Sequence, residues 1–209
     1  MLEAREITYS FPHQTPLFEN FSLAVERGER LALEAPSGFG KTALCRLLAG
    51  YLQPQKGEVL LDGKPLPKRG CSPVQLVWQH PEAAFDPRMR MGTHGDGSRV
   101  FLHNTREPSP CVPNVPNMLE RLGIKQEWLT RFPHELSGGE LQRFCIARAL
   151  AANPQYFIAD EMSTMLDAVT QARIWHFLLE ECEAHNLGLI FVSHSPALTK
   201  RIATRVLKL

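Results

Sequence analysis

The chain has 209 residues, 44% of them hydrophobic and 22% charged, with a formal net charge of +1; these are ordinary proportions for a globular chain with one sizeable core. The near-neutral balance gives no electrostatic reason to expect nucleic acid or anionic lipid as a partner, and no apolar run approaches the ~20 residues that span a bilayer. Met1-Leu2-Glu3-Ala4-Arg5-Glu6 lacks the basic start and apolar stretch of a signal peptide, so work at a membrane would need a partner to hold the chain there. The five cysteines, at 45, 71, 111, 145 and 182, form no C-x-x-C pair. That pattern points to reduced thiols rather than a disulfide framework or zinc site. The histidines at 13, 80, 94, 103, 134, 176 and 185 show no ligand spacing.

Short β-like runs come first, at Glu6–Tyr9, Phe21–Val25 and Arg30–Glu34, with Gly28-Glu29 as a turn between the last two. The octet Ala35-Pro36-Ser37-Gly38-Phe39-Gly40-Lys41-Thr42 follows, overlapping a helix-like run over Lys41–Ala49. It is the pattern G-x-x-x-x-G-K-[ST] with Ala35 at the first glycine position. Glycines let backbone N–H groups converge on phosphate oxygens, and the helix start adds partial positive charge. Lys41 would reach the outer phosphates and Thr42 would ligate Mg²⁺. The alternative is a glycine-rich turn joining strand to helix.

Further along stand a short strand at 58–61 with the hairpin signal Asp62-Gly63, and a buried-type strand Val74–Trp78 that leads into Gln79. From 91 to 117, Gly and Pro cluster without helical period, and an irregular, mobile segment is expected there. Periodicity returns at Met118–Leu122. Leu136-Ser137-Gly138-Gly139-Glu140 opens a helix that includes Gln142 and Arg143, runs to about Ala151 and ends before Asn153-Pro154. Strand 156–160, helix 168–185, strand 188–193 and helix 196–203 then alternate, and such βαβα order implies a parallel sheet covered by helices. The strand Tyr156-Phe157-Ile158-Ala159 ends in Asp160-Glu161, and Ile190-Phe191-Val192-Ser193 ends in His194. A carboxylate at a strand end beside a phosphate loop can hold Mg²⁺, which suits Asp160. Its neighbour Glu161 points elsewhere and can take a proton from water.

In the order Tyr9, phosphate loop, Gln79, LSGGE, Asp160-Glu161, Leu166-Asp167, His194, the chain resembles the ATPase subunit of ATP-binding cassette transporters over nearly its whole length. LSGGE is the most specific of these motifs. A narrower resemblance to the peptide and nickel importer branch is carried by Val77-Trp78-Gln79-His80-Pro81, Asp86-Pro87-Arg88, Phe132-Pro133-His134-Glu135 and Leu166-Asp167-Ala168-Val169-Thr170-Gln171-Ala172.

The resemblance implies an α/β fold: a P-loop NTPase core with a mainly parallel sheet, an N-terminal antiparallel β region and an inserted, mostly helical subdomain. Residues 1–209 would form one domain, with the ATP core at 1–79 and 152–209 and the inserted lobe at about 80–151. It implies ATP and Mg²⁺ as cofactors. ATP would be held by Tyr9, Pro36, Ser37, Gly38, Phe39, Gly40, Lys41, Thr42 and Ala43, although Phe11 and Phe18 rival Tyr9 as the ring under the adenine. Thr42, Gln79 and Asp160 would hold the metal, and Glu161, His194 and Gln79 would carry catalysis. Leu136, Ser137, Gly138, Gly139 and Glu140 would close over the γ-phosphate of a second ATPase subunit in a head-to-tail dimer, with Asp167 facing its counterpart. Membrane permease subunits would be the further partners, with no nucleic acid, and would hold the chain on the cytoplasmic face of the membrane. Met162 and Met165 depart from the family's usual Pro and Ala; Ala35, Met165 and the shortened ends favour a second reading, a nucleotide-binding regulatory cassette with little turnover. A third, a soluble cassette of DNA repair or translation, fits less well, since those usually carry long insertions or two cassettes.

Overall fold

The structure, a computed structural model, describes residues 1–12, 15–36, 38–92 and 115–209. In chain order its elements are β1 (Leu2–Tyr9), β2 (Phe18–Val25), β3 (Arg30–Glu34), α1 (Lys41–Leu48), β4 (Lys56–Leu61), β5 (Lys64–Pro65), β6 (Val74–Val77), α2 (Val115–Arg121), α3 (Gly138–Ala151), β7 (Tyr156–Asp160), α4 (Ala168–His185), β8 (Gly188–Val192), α5 (Pro196–Ile202) and β9 (Arg205–Lys208). Short 3-10 turns stand at Pro81–Ala84, Gln126–Thr130 and Pro133–Glu135. Among the described residues the strands form an antiparallel sheet in the order β2-β1-β4-β5 and a parallel sheet in the order β6-β7-β8-β3-β9.

Alternation along the parallel strands sorts side chains into two cores. Leu31 and Leu33 of β3, Tyr156 and Ile158 of β7, and Ile190 and Val192 of β8 pack with α1 and the antiparallel sheet. Ala32, Phe157, Ala159, Leu189 and Phe191 point the other way, onto α3 and α4. Because helices or a second sheet cover both faces, β7 and β8 are buried at every position, and this is why they read as unbroken apolar runs. Tyr156 joins the two sheets: its hydroxyl donates to the Val25 carbonyl (2.9 Å) and accepts from the Leu2 amide (3.1 Å). A Cβ at residue 188 would lie 2.4 Å from the Tyr156 ring, so a glycine is required beside it.

The expected β-α alternation from 156 onward is present, and the hairpin turn has Asp62 at φ 51° and Gly63 at φ 74°, the positive pair that a two-residue turn of this kind needs. Three expectations change. β1 and β2 begin at Leu2 and Phe18 rather than Glu6 and Phe21, because Glu6 (φ 48°), Asn20 (φ 49°) and the register shifts beside Ile7 break the two-residue period on which the reading relied. Residues 205–208, given no element from sequence, form β9 alongside β3. The irregular stretch expected at 91–117 falls mostly outside the described residues, but its ends are ordered: the Met91 amide donates to the Arg131 carbonyl (2.9 Å) and α2 already begins at Val115.

Candidate active site

Strand order builds the site. β6, β7 and β8 are neighbours in the parallel sheet, so the residues just past their C-terminal ends converge, the usual place for a ligand in an open α/β sheet. Gln79 follows β6, Glu161 follows β7 and His194 follows β8. The Gln79 amide donates to Glu161 Oε2 (3.1 Å), and His194 Nε2 lies 2.8 Å from Glu161 Oε1. The carboxylate is thus held by one neighbour on each side. The Glu161 side chain is 15% exposed while that of His194 is 60% exposed, so the imidazole stands at the solvent edge of the group. Glu161 has φ 52°, a left-handed conformation that costs a non-glycine residue on the order of 1–3 kcal/mol and that clusters at functional sites.

The phosphate loop lies past β3, beyond β8. Gly38 and Gly40 take φ 83° and 86°, and a side chain at 40 would press on Phe18 at 3.1 Å. Ala35 is not among the residues with positive φ, so alanine in place of the first motif glycine carries no backbone penalty here. Lys41 is buried, and its ammonium donates to the carbonyls of Ala35 (2.8 Å) and Pro36 (3.0 Å). Gly40 caps α1 with no side-chain cap and no acidic residue in the first turn. Pro36, Gly38 and Phe39 are exposed around this helix start, and Ala43 is buried beneath it. Ser37 lies outside the described residues.

Thr42 hydrogen-bonds the carboxyl of Asp160, whose pKa is raised by burial and, less strongly, by Glu161. Among the described residues no group of three or more His, Cys, Asp or Glu could hold a metal. Thr42 and Asp160 instead present one hydroxyl and one carboxylate, a hard-oxygen set that fits Mg²⁺, which keeps several waters and is commonly completed by phosphate oxygens. Gln79, expected in that metal set, turns its amide nitrogen to Glu161, leaving its carbonyl oxygen as the ligand atom.

The second glycine-rich helix start is closed on itself. Ser137 caps α3: its hydroxyl accepts from the Glu140 amide (3.3 Å) and donates to Glu140 Oε2 (2.9 Å), which also accepts from the Ser137 amide (2.7 Å). Leu136 is buried, and Gly138 and Gly139 allow Met165 and Leu166 to pack against the turn. Asp167 caps α4 by accepting from the amides of Val169 (3.1 Å) and Thr170 (2.9 Å); an Asp directly before a helical run was the signal for that role. Met165 is exposed, but Met162 is 2% exposed and belongs to the core. Tyr9 is also buried, edge-on to Phe11 at 5.4 Å, with Phe18 buried nearby on β2. Sequence reasoning gave Gln142 no role; it is 1% exposed and donates to the carbonyl of Trp78 (3.1 Å), one residue before Gln79.

The family model described as ABC transporter matches residues 18–164. The chain belongs to the ABC transporter family. This ABC ATPase domain is 36% identical over 200 residues to the Glutathione import ATP-binding protein GsiA of Pectobacterium atrosepticum, a match covering 92% of the chain and 32% of that protein. It is 32% identical over 223 residues to GsiA of Salmonella typhimurium, covering 99% of the chain and 36% of that protein. The chain therefore spans about a third of the length of these relatives. A dimeric bacterial ABC transporter cassette shares its fold at TM-score 0.81 and 22% identity, over 100% of this chain and 94% of that one. Among the described residues no helix is long and apolar enough to cross a membrane.

Proposed function

We propose that this ABC ATPase domain binds Mg-ATP and hydrolyses it to drive import through membrane permease subunits, on whose cytoplasmic side it sits. One observation carries the chemistry: the Glu161 carboxylate is held between Gln79 and His194 at the ends of three adjacent strands. Glu161 takes the proton of the attacking water, while Gln79 and His194 fix the carboxylate and the water's approach. Lys41, now turned onto carbonyls of its own loop, swings to the outer phosphates. His194 then donates to charge developing on the γ-phosphate. Thr42, Asp160 and Gln79 would hold Mg²⁺, which when bound neutralises phosphate charge.

We further propose that two such cassettes pair head to tail, placing Leu136–Glu140 of one over the nucleotide of the other and Asp167 at the join, and that Tyr9 or its neighbour Phe11 underlies the adenine. The two-lobe division, 1–79 with 152–209 and about 80–151, belongs to this reading. As cargo we favour a short peptide over nickel, because the relatives described above are named for import of glutathione, itself a short peptide. The test is Glu161→Gln, which keeps the hydrogen-bonding shape but cannot accept the proton. Turnover should fall ~10²–10⁴-fold with ATP still bound, and turnover within a few-fold of the parent would move the base elsewhere.

A further inference from the structure

Gln79 is anchored from behind by a row of side chains. On α3, Gln142, Cys145 and Arg148 recur every third residue. Gln142 donates to the Trp78 carbonyl (3.1 Å), the Cys145 thiol to the Pro81 carbonyl (3.9 Å), and the Arg148 guanidinium to the Ala84 carbonyl (2.6 Å). The acceptors are also three residues apart, and a 3-10 turn spans Pro81–Ala84. Arg148 also lies over the Phe85 ring at 4.9 Å.

Two features separate this row from ordinary packing. The Gln142 Oε1 is buried without a hydrogen-bond partner among the described residues. An apolar residue of the same shape would avoid that cost, so the amide is kept for the single bond it donates beside Gln79. The same short segment is held from the other side by the helix of the phosphate loop: Arg46 of α1 lies over the Trp78 ring at 4.7 Å, and Tyr51 meets that ring edge-on at 5.1 Å.

We propose that Gln142, Cys145 and Arg148 are positioning residues that hold the Gln79 segment on α3, so that the helix presenting Ser137 also sets the Gln79 amide and, through it, Glu161. The proposal rests on Glu161 as the base and deepens that reading.

The experiment is steady-state ATP hydrolysis by the full chain, comparing the parent with Glu161→Gln, Gln142→Met, Arg148→Met, Arg148→Lys and the double Met variant. Methionine keeps an unbranched apolar stem and removes the donor; lysine keeps a donor and a cation. Gln142→Met should lower kcat about tenfold while KM for ATP and the thermal shift given by Mg-ATP stay within about twofold of the parent. Arg148→Met should fall in the same way, Arg148→Lys should recover most of the rate, and the double variant should lose less than the product of the two single losses, as expected of groups acting through one link. If Glu161→Gln is inactive while the Met variants turn over like the parent, the anchoring role is wrong and the base assignment stands. If the Met variants lose rate only in proportion to their unfolded fraction, with multiplicative losses and no recovery by lysine, the row is merely structural and the proposal falls. If Glu161→Gln turns over like the parent, the base reading fails and takes the proposal with it.

Discussion

Two helices begin in similar glycine-rich turns and satisfy their first amides in opposite ways. α1 is capped by Gly40, which brings no side chain, and has no acid in its first turn. α3 is capped by Ser137 and closed by the Glu140 carboxylate in a reciprocal box. The first start has no side-chain acceptor at its cap, and its Lys41 turns onto carbonyls of its own loop; the second carries an anion of its own. The two glycine-rich helix starts thus differ in what meets their first amides. The acids differ as well. The Glu140 carboxylate accepts from two donors, the amide and the hydroxyl of Ser137, whereas Asp160 is buried with its pKa raised.

Removing the cation of the first start should have the largest effect. At ATP a hundredfold above its Kd, binding stabilises a folded protein by about 2.7 kcal/mol. Lys41→Ala should lose most of that thermal shift, and a shift equal to the parent's would place the phosphates elsewhere. Breaking the second start is smaller: Ser137→Ala should cost about 1 kcal/mol of stability through the lost cap. If Ser137 also serves a partner's nucleotide, turnover should fall further than unfolding explains while ATP binding by a single cassette is unchanged; turnover that merely tracks folding would make it a cap alone.

The Asp160 effect appears along the pH axis. Its pKa is raised above the unfolded value, so its contribution to stability is present below the ordinary carboxyl range and is lost as pH rises through the folded pKa. In the absence of nucleotide, Asp160→Asn should flatten that fall and be the more stable form at neutral pH, as melting curves across pH 3–7 would show; a variant less stable at every pH would contradict the burial argument. Smallest is Glu140→Gln, which keeps the box and removes a charge worth about 0.3–1 kcal/mol at the helix start. Its melting point should drop slightly. Nucleotide-dependent pairing in a Glu161→Gln background, followed by size-exclusion chromatography, should strengthen, because no local carboxylate then competes with the incoming phosphate.

Much of this was legible along the chain. The bounds of α3, α4 and β7 follow from cap residues, Asn153-Pro154 and apolar runs, all local signals. β9 was not legible, because Arg205-Val206-Leu207-Lys208 is a largely exposed edge strand whose hydrogen bonds are supplied by β3, some 170 residues earlier. The helix start at Val115 was masked by Pro116, which reads as a breaker although a proline in a first turn lacks only an N–H that has no helical partner there. At the site, Gln79, Glu161 and His194 were each recognisable as strand ends. That both neighbours grip one carboxylate follows from the order β6-β7-β8, which no local pattern encodes. The attachment of Gln142 to Trp78 is likewise tertiary, and the only trace in sequence was a polar residue on a helix face that proved buried.

The backbone at Glu161 bears on how such a chain changes over generations. The left-handed conformation there suits glycine or asparagine better than glutamate. Folding alone would exchange this residue for one of those two, and under the function proposed above the need for a proton acceptor opposes the exchange. A lineage released from hydrolysis would therefore drift at this position early, gaining stability as it lost turnover, and Asn or Gly at 161 in an otherwise intact descendant would mark a cassette that binds nucleotide without spending it.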